Sequence, residues 1–444
     1  VGGAGVEVRG VTASGPGEGV KVKTGGELTL VDSLLDGNFN VGLDLETTPA
    51  AAHLLRSVIR GTLPKDDVSG YGAEVIFGAT LDLVDSAIVG SAGGAILMGE
   101  DGTHVTITNS VVRDTAPDLN GLFGYGINAR NNAAMDITRS VFVANTTGAV
   151  RISKGATATV TESVMRDTQR DATGLEAFGF IVVDGAKLTA TKIAATGNEG
   201  GGIVTLVQGS VSTITDSVLR AQLGNKGKDP SGDLGNGAYV FSGGRLEITG
   251  TAIVDNHRSG IDAYDMGTVL ALSGSLITGT TSSLVDKMGM GVEIALSASG
   301  TIKDSAITHN LHTGIFVYDG ATVDVSTSVI RDTKLQVFQT LLGHGLLAQD
   351  SPHVTIGSSE FDHNAGVGLA FSNSSATIRG TSIVGNAIGI HAQDGSTLKD
   401  VDDASGDPAG LDILVAKDTI FTGNGAKTGS GLIPLPMPIP PSRP

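Results

Sequence analysis

The 444-residue chain contains no cysteine and no tryptophan. Without cysteine it has no disulfide framework, no thiolate metal site and no cysteine nucleophile. No segment approaches the roughly 18 uninterrupted apolar residues that a membrane-spanning helix needs. Basic residues are scarce, 29 against 46 acidic ones, and the net charge of −17 argues against a nucleic-acid surface because phosphates would be repelled.

Glycine is abundant, with 65 residues, but it follows no three-residue period and there are only 13 prolines, which excludes a collagen. Hydrophobic residues make up 40% of the chain, too many for an intrinsically disordered protein. The composition therefore favours a folded chain with a large apolar core.

One sequence motif recurs along the chain: a short strand of alternating apolar and polar residues, a small hydroxyl residue, two apolar residues and a turn. Val105-Thr-Ile-Thr-Asn-Ser110-Val-Val is one copy and Ala158-Thr-Val-Thr-Glu-Ser163-Val-Met is another. Short and long spacings alternate, so that Ser57, Ser110 and Ser163 are each 53 residues apart. Such strands cannot bury an apolar face alone, but stacked coils can, which indicates a β-solenoid.

The chain resembles the right-handed parallel β-helix, the fold of pectate lyases and many bacterial surface proteins. The resemblance covers about residues 5 to 425 and depends on phrases such as Asn256-His-Arg-Ser-Gly260-Ile and Asn310-Leu-His-Thr-Gly314-Ile. We therefore predict an all-β, right-handed parallel β-helix (β-solenoid) of about 15 coils, with loop insertions on alternate coils. The resemblance also implies a bacterial protein that is extracellular or displayed at the cell surface.

Coils with the shorter spacing, which we call short coils, carry an asparagine in the turn. Asparagine tolerates the left-handed conformation of a tight bend, and its side-chain amide can form hydrogen bonds with the amides of neighbouring coils in a ladder. We expect the following structural ladder: Asn38, Asn145, Asn256, Asn310, Asn364 and Asn386. Long coils continue instead into insertions, predicted at 63–71, 116–125, 169–178, 223–236, 281–290 and 334–344.

The domain prediction is a single β-helix over 1–425 and a Gly/Pro-rich tail over 426–444. The prolines of the tail favour polyproline II, as a linker to a further segment or a cap over the last coil. Because Val1 is not an initiator Met, we expect a processed chain or a piece of a longer one. The tail and the exposed strand edges predict attachment or self-association.

One strand of each coil should point aromatic side chains outward. A strip of exposed rings would suit the CH faces of sugars and predicts carbohydrate binding. The alternative is that the insertions fold over the strip and bury it as a side core. The predicted strip consists of Tyr239, Phe241, Tyr264, Phe316 and Tyr318.

Ionisable residues collect beside this strip, and a lyase acting on uronic acids would need a base and a cation from such a set. Arg258 or Ca²⁺ would neutralise the substrate carboxylate. The alternative is a row of solvated polar turns. The candidate catalytic residues are His257, Arg258, His309, His312 and Asp262.

Enzyme motifs are sparse. Gly343-His344-Gly345 matches one short motif of polygalacturonases, whose other motifs are missing from the sequence. Thr-x-Thr pairs such as Thr159/Thr161 and Thr189/Thr191 resemble ice-binding faces, although acidic residues interrupt them.

The leading prediction is a non-catalytic protein with a structural or adhesive role that binds a surface polysaccharide or another extracellular polymer. It requires no cofactor, no nucleic acid and no membrane span. The alternative is a polysaccharide lyase acting on acidic glycans, in which either Arg258 or Ca²⁺ would neutralise the substrate carboxylate, and ice binding is a third function.

Overall fold

The computed structural model describes residues 5–64, 69–174, 176–224, 235–282, 289–335, 342–401, 411–429 and 432–433. These residues form strands and turns and contain no helix. Most of the predicted tail and parts of several predicted insertions lie outside the described residues. The chain divides into two compact units, residues 1–213 and 214–443, which are described in turn.

The first unit is built of short strands that follow one another in groups of three. Their bounds are β1 (Val6–Arg9), β2 (Thr12–Ser14), β3 (Val20–Val22), β4 (Glu27–Val31), β5 (Leu34–Asp36), β6 (Val41–Leu45), β7 (Ala51–Leu55), β8 (Val58–Arg60), β9 (Gly70–Ile76), β10 (Thr80–Val84), β11 (Ala87–Val89), β12 (Gly93–Gly99), β13 (His104–Thr108), β14 (Val111–Arg113), β15 (Tyr125–Arg130), β16 (Ala134–Thr138), β17 (Val141–Val143), β18 (Gly148–Ile152), β19 (Thr157–Thr161), β20 (Val164–Arg166), β21 (Phe178–Val182), β22 (Lys187–Thr191), β23 (Ala194–Thr196), β24 (Gly201–Leu206) and, across the boundary, β25 (Val211–Thr215).

The second unit repeats the same pattern. Its strands are β26 (Val218–Arg220), β27 (Asn236–Phe241), β28 (Arg245–Thr249), β29 (Ala252–Val254), β30 (Ser259–Tyr264), β31 (Val269–Ser273), β32 (Leu276–Thr278), β33 (Met290–Ala295), β34 (Ser299–Lys303), β35 (Ala306–Thr308), β36 (Thr313–Tyr318), β37 (Thr322–Ser326), β38 (Val329–Arg331), β39 (His344–Gln349), β40 (His353–Gly357), β41 (Glu360–Asp362), β42 (Val367–Ser372), β43 (Ala376–Arg379), β44 (Ser382–Val384), β45 (Ile388–Gln393), β46 (Thr397–Val401), β47 (Asp412–Ala416), β48 (Ile420–Thr422) and β49 (Ala426–Gly429).

Within each unit every third strand pairs in parallel with its counterpart in the next coil, which gives three sheets. We call them the first sheet (from β1 and β28), the second sheet (from β2 and β26) and the third sheet (from β3 and β27). Pairing is residue on residue, as in Val105↔Met135 and Met135↔Ala158. The predicted right-handed parallel β-helix is confirmed, with long connections before the third sheet in alternate coils.

Inward side chains of all three sheets form the core. Alternation along the strands places apolar residues inside, for example Val105, Ile107 and Phe142, which are fully buried. The recurrent hydroxyl residue is buried too. Ser140 accepts a bond from the backbone N–H of Ser110 (3.1 Å) and donates to the carbonyl of Thr138 (2.9 Å). The hydroxyl column thus satisfies buried backbone groups at a bend, where the sheet ladders are interrupted.

Asparagines of the short turns are buried and bond to the neighbouring coil. The Asn145 side chain accepts from the Thr115 N–H (3.4 Å) and donates to the Val112 carbonyl (3.2 Å). Amide-to-amide bonds join Asn364 to Asn386 (3.0 Å). The left-handed conformation expected of these asparagines belongs to the residue before each one, such as Ala144. The expectation was wrong on that point, because the amide must point inward to reach backbone groups.

Glycine recurs at the second position of third-sheet strands because coils approach closely there. A Cβ on Gly314 would lie 2.6 Å from the carbonyl oxygen of Gly345 in the next coil and 2.6 Å from Ile330 Cγ2. Backbone cannot yield at so short a distance without displacing the coil. At Gly314 the column therefore leaves no room for a side chain.

Replacing Gly314 by alanine should destabilise the protein by about 1–3 kcal/mol, because the added methyl overpacks the contact between coils. Gly357→Ala is the matched control, since a Cβ there meets no heavy atom within 4 Å. Removing backbone freedom at that strand position should leave stability unchanged or raise it by up to about 1 kcal/mol. Thermal unfolding followed by circular dichroism measures both, and equal midpoints for the two variants would contradict this account of the glycine column.

Candidate functional site

Outward side chains of the third sheet in the second unit form two parallel columns. In-register pairing places Tyr239, Asp262, Glu293 and Phe316 over one another on successive coils. Two residues further along the same strands, Tyr264 pairs with Ala295 and Ala295 with Tyr318. The predicted aromatic strip and one predicted catalytic residue therefore share one face.

The aromatic rings of this face are buried rather than exposed. Tyr239, Tyr264 and Tyr318 are at most 3% exposed, Phe316 is fully buried and Phe241 is 9% exposed. The prediction of a strip of exposed rings is thus wrong for these residues. They are buried, as the alternative of a side core proposed. The Phe316 and Tyr318 rings stack with their centres 4.6 Å apart, and the Tyr264 hydroxyl accepts a hydrogen bond from a buried arginine.

That arginine is Arg258, which lies in the turn before β30 with a left-handed φ of 64°. Its guanidinium forms an ion pair with Asp262 and lies 3.2 Å from the Tyr264 hydroxyl and 3.5 Å from Glu293 Oε2. The turn is fixed by the Arg258 N–H bond to the Thr281 carbonyl (2.9 Å). A buried guanidinium needs such partners because an unpaired charge would be too costly to desolvate.

Two carboxyl groups share this interior. Asp262 accepts a bond from the Asn236 amide, and Glu293 Oε1 accepts one from the Tyr318 hydroxyl at 2.9 Å. We call this set, completed by Arg258 and Tyr264, the buried polar cluster. Both carboxyls are fully buried.

Burial governs the protonation of the cluster. It raises the pKa of Glu293 from its ordinary 4.5 to about 8, against the opposing Arg258 charge. Burial also raises the pKa of Asp262, although the charge of Arg258 and the bonds from Ser259, Glu293 and Asn236 oppose it. The pKa of the Tyr264 phenol is raised well above its ordinary value for the same reason, so the phenol stays neutral. Near neutral pH the pair therefore retains one proton beside one ion pair.

The other predicted catalytic residues have different surroundings. His257 is half-exposed, with Nδ1 3.4 Å from Thr281 Oγ1. His309 is exposed and lies 3.7 Å from Asp332, whereas His312 is buried with Nδ1 2.7 Å from Thr313 Oγ1. The structure brings Arg258 and Asp262 together and gives the three histidines separate partners.

The third sheet of the first unit also carries polar outward residues, which the sequence analysis missed because its predicted strip followed aromatic side chains and began at Tyr239. Register places Lys21, Asp44 and Glu74 on successive coils and pairs Asn128 with Arg151 further along. We call these five residues the open polar column. Except for Asp44 they are half-exposed. From Lys21 to Arg151 the column is polar at five of its six positions, with Leu97 between Glu74 and Asn128, and this was the available signal.

Contacts within the open polar column leave much of it accessible. Lys21 Nζ lies 2.6 Å from both Asp44 and Glu46, whose side chain is 42% exposed. Burial raises the pKa of Asp44, against the Lys21 bond, and also that of Glu74. Next to the column, the Tyr125 hydroxyl donates to Glu176 at 3.0 Å.

Metal ligands are not grouped on the part of the chain that the structure describes: no three His, Asp or Glu residues there could hold one ion together. None of the described segments is a helix able to cross a membrane.

The family model described as "Right handed beta helix region" matches residues 94–277 and 269–424. Among solved structures, the periplasmic alginate epimerase AlgG is similar at 11% identity, with 86% of each chain covered and a TM-score of 0.45. The A-module of the mannuronan C-5 epimerase AlgE4 of Azotobacter vinelandii is 12% identical, with 87% of this chain and 91% of that one covered and a TM-score of 0.28. The GH136 lacto-N-biosidase of Eubacterium ramulus is 10% identical over 93% of this chain and 63% of that one, with a TM-score of 0.32. No curated protein sequence matches the chain.

The proton retained by the carboxyl pair makes stability depend on pH. Between about pH 4.5 and pH 8 the folded protein holds a proton at Glu293 that the unfolded chain releases. The free energy of unfolding should therefore fall as pH rises through this window, by about 1.4 kcal/mol for each unit of pKa difference.

Glu293→Gln should flatten this dependence, because the amide mimics the protonated acid and can still accept from Tyr318. Glu360→Gln, at a half-exposed carboxyl of the second sheet, is the control and should leave it unchanged. Urea unfolding at several pH values across the window measures both. A wild-type protein whose stability rises over this range would contradict the assignment.

Proposed function

The chain belongs to the right-handed β-helix family, and we propose that it is a non-catalytic member with a structural and adhesive role. It binds a carbohydrate polymer along the open polar column of the third sheet. The observation that carries this proposal is the contrast between the two groups of polar residues: those of the open polar column are half-exposed, apart from the buried Asp44, whereas the acid–base residues of the buried polar cluster are fully enclosed and bonded to one another.

A β-helix suits this role because its core is filled with side chains, so a ligand must be met on an outer face. An extended polymer can follow this column, in which every coil but the one that contributes Leu97 offers a polar side chain. Lys21, Glu74, Asn128 and Arg151 supply donors and acceptors for sugar hydroxyls. Location at a bacterial surface or outside the cell is part of the proposal and follows from the resemblance to bacterial surface proteins.

A second function is favoured by one feature, the raised pKa of the Glu293 carboxyl beside Arg258. A buried acid whose pKa lies near neutrality is the kind of group that acid–base enzymes employ. In that case Glu293 would exchange a proton with a glycan and Arg258 would steady the developing charge. This enzyme would be a lyase acting on acidic glycans, and its substrate would have to reach side chains that are 2% exposed or less.

Incubating the purified chain with neutral and acidic polysaccharides, with and without Ca²⁺, separates the two functions. We expect retention of the protein on at least one immobilised polysaccharide and no product, measured as unsaturated-sugar absorbance and new reducing ends. Product that is formed by the wild type and by Glu360→Gln but not by Glu293→Gln would establish the enzyme instead. Failure to bind any polysaccharide would contradict the adhesive role.

A further inference from the structure

Two arginines stand side by side on the third sheet of the first unit. Arg151 lies on β18 and pairs with Asn128 of β15, and Arg130 lies two residues beyond Asn128 on the same face. Both side chains are half-exposed. The stem of Arg130 crosses Gly99 of the preceding coil, where a Cβ would lie 3.2 Å from its Cγ, so the missing side chain makes room for it.

These arginines differ from others in their partners. Arg56 and Arg60 each hold an aspartate through two bonds of 2.7–2.9 Å. Within the part of the chain that the structure describes, the Arg130 side chain has no hydrogen bond or ion pair, and Arg151 has no ion pair. Arg151 donates only through Nη1, to Ser153 (3.0 Å) and Asn128 (3.5 Å).

The nearest carboxyl groups neutralise the pair weakly. Glu74 and Glu176 are close enough to feel the two guanidinium charges, but neither lies within 4 Å of them. Burial raises the pKa of both glutamates, which biases them towards their neutral form. Within the part of the chain that the structure describes, Arg130 and Arg151 are thus two cations without an ion-pair partner, in a protein whose net charge is −17.

Each guanidinium also has an unsatisfied donor. The Nε atoms of Arg130 and Arg151 are both buried and have no acceptor. A buried N–H without a partner loses its hydration without compensation. Because the buried Nε atoms cannot be reached from outside, an external carboxylate would accept from the terminal nitrogens, two at once, in the fork geometry that arginine offers and lysine does not.

Aromatic rings beside the pair indicate the rest of the ligand. The Arg151 guanidinium lies over the Tyr125 ring, 5.8 Å from its centre, and Phe123 lies 6.1 Å from Tyr125, ring centre to ring centre. Phe123 is 44% exposed, so its face is open to a ligand. Aromatic faces suit the CH faces of a sugar ring, which an acidic peptide does not require.

We infer that Arg130 and Arg151 bind the carboxylates of an acidic polysaccharide, with the exposed ring of Phe123 supporting a sugar ring and the buried Tyr125 ring holding the Arg151 guanidinium in place. The inference depends on the proposed function, because it names the polymer that the open polar column binds. Since the net negative charge repels such a polymer at long range, affinity must come from the short-range fork rather than from general attraction.

Calorimetric titration with a hexuronic-acid tetrasaccharide tests the inference. We expect the wild type to bind it at least tenfold more tightly than the same tetrasaccharide with its carboxyls reduced to alcohols, or than polyglutamate. Arg130→Gln and Arg151→Gln should each weaken binding about tenfold or more, and Arg151→Lys should do so too because it keeps the charge and loses the fork. Arg139→Gln, at an exposed arginine that donates to Asn109, is the control and should bind as the wild type does.

Equal affinity for the charged and neutral tetrasaccharides would overturn the inference. So would unchanged binding in both glutamine variants with wild-type unfolding temperatures. If polyglutamate binds as tightly as the uronate tetrasaccharide, and if the same variants lose this binding, the assignment of the ligand as a sugar would be overturned. If a glutamine variant does not fold, the inference is still tested by the affinity of Arg151→Lys and by the difference in affinity between the charged and the reduced tetrasaccharide. Binding of neutral glycans alone would leave the adhesive role intact and refute this inference, whereas binding of no saccharide would refute both.

Discussion

Hydrogen bonding from each coil to the next, residue on residue, is the constraint from which the other features follow. Parallel pairing places every outward side chain above the equivalent side chain of the neighbouring coil. Small or bonded residues must therefore occupy the turns and close approaches. Ser140, Asn145 and Gly314 each meet this requirement differently: by a hydroxyl bond, by an amide bond and by having no side chain.

The same register determines which chemistry the third sheet can assemble. Side chains on the strands of this sheet contact one another when they lie in the same column or in columns two residues apart, as Asp262, Glu293 and Tyr318 do. Closing such a set with Arg258 leaves its charges fully desolvated, a costly arrangement that is tolerated because the partners satisfy one another. Where the equivalent columns remain accessible, in the first unit, guanidinium groups retain donors for an external acceptor.

Sequence periodicity was sufficient for the fold, since alternation and the recurring hydroxyl residue report directly on inward and outward positions. It could not establish exposure. Alternation assigns Tyr239 and Tyr264 to the outward face, but both are buried, since an outward residue is open only if nothing covers it. Arg258 illustrates the limit: a charged turn residue predicted to lie near Asp262 proved to be buried, because its long side chain folds back over the sheet. Arg130 matters because its side chain has no hydrogen-bond acceptor in the part of the chain that the structure describes, and the spacing of residues in the sequence does not reveal this.

A crystal structure of the chain with a bound hexuronic-acid tetrasaccharide is the most direct test of the central claim that the open polar column is the contact face and the buried polar cluster is internal. The account predicts saccharide density over β15 and β18, with a carboxylate against Arg130 or Arg151 and the cluster unchanged. Density against Arg258, Asp262 and Glu293, with β15 and β18 bare, would contradict it.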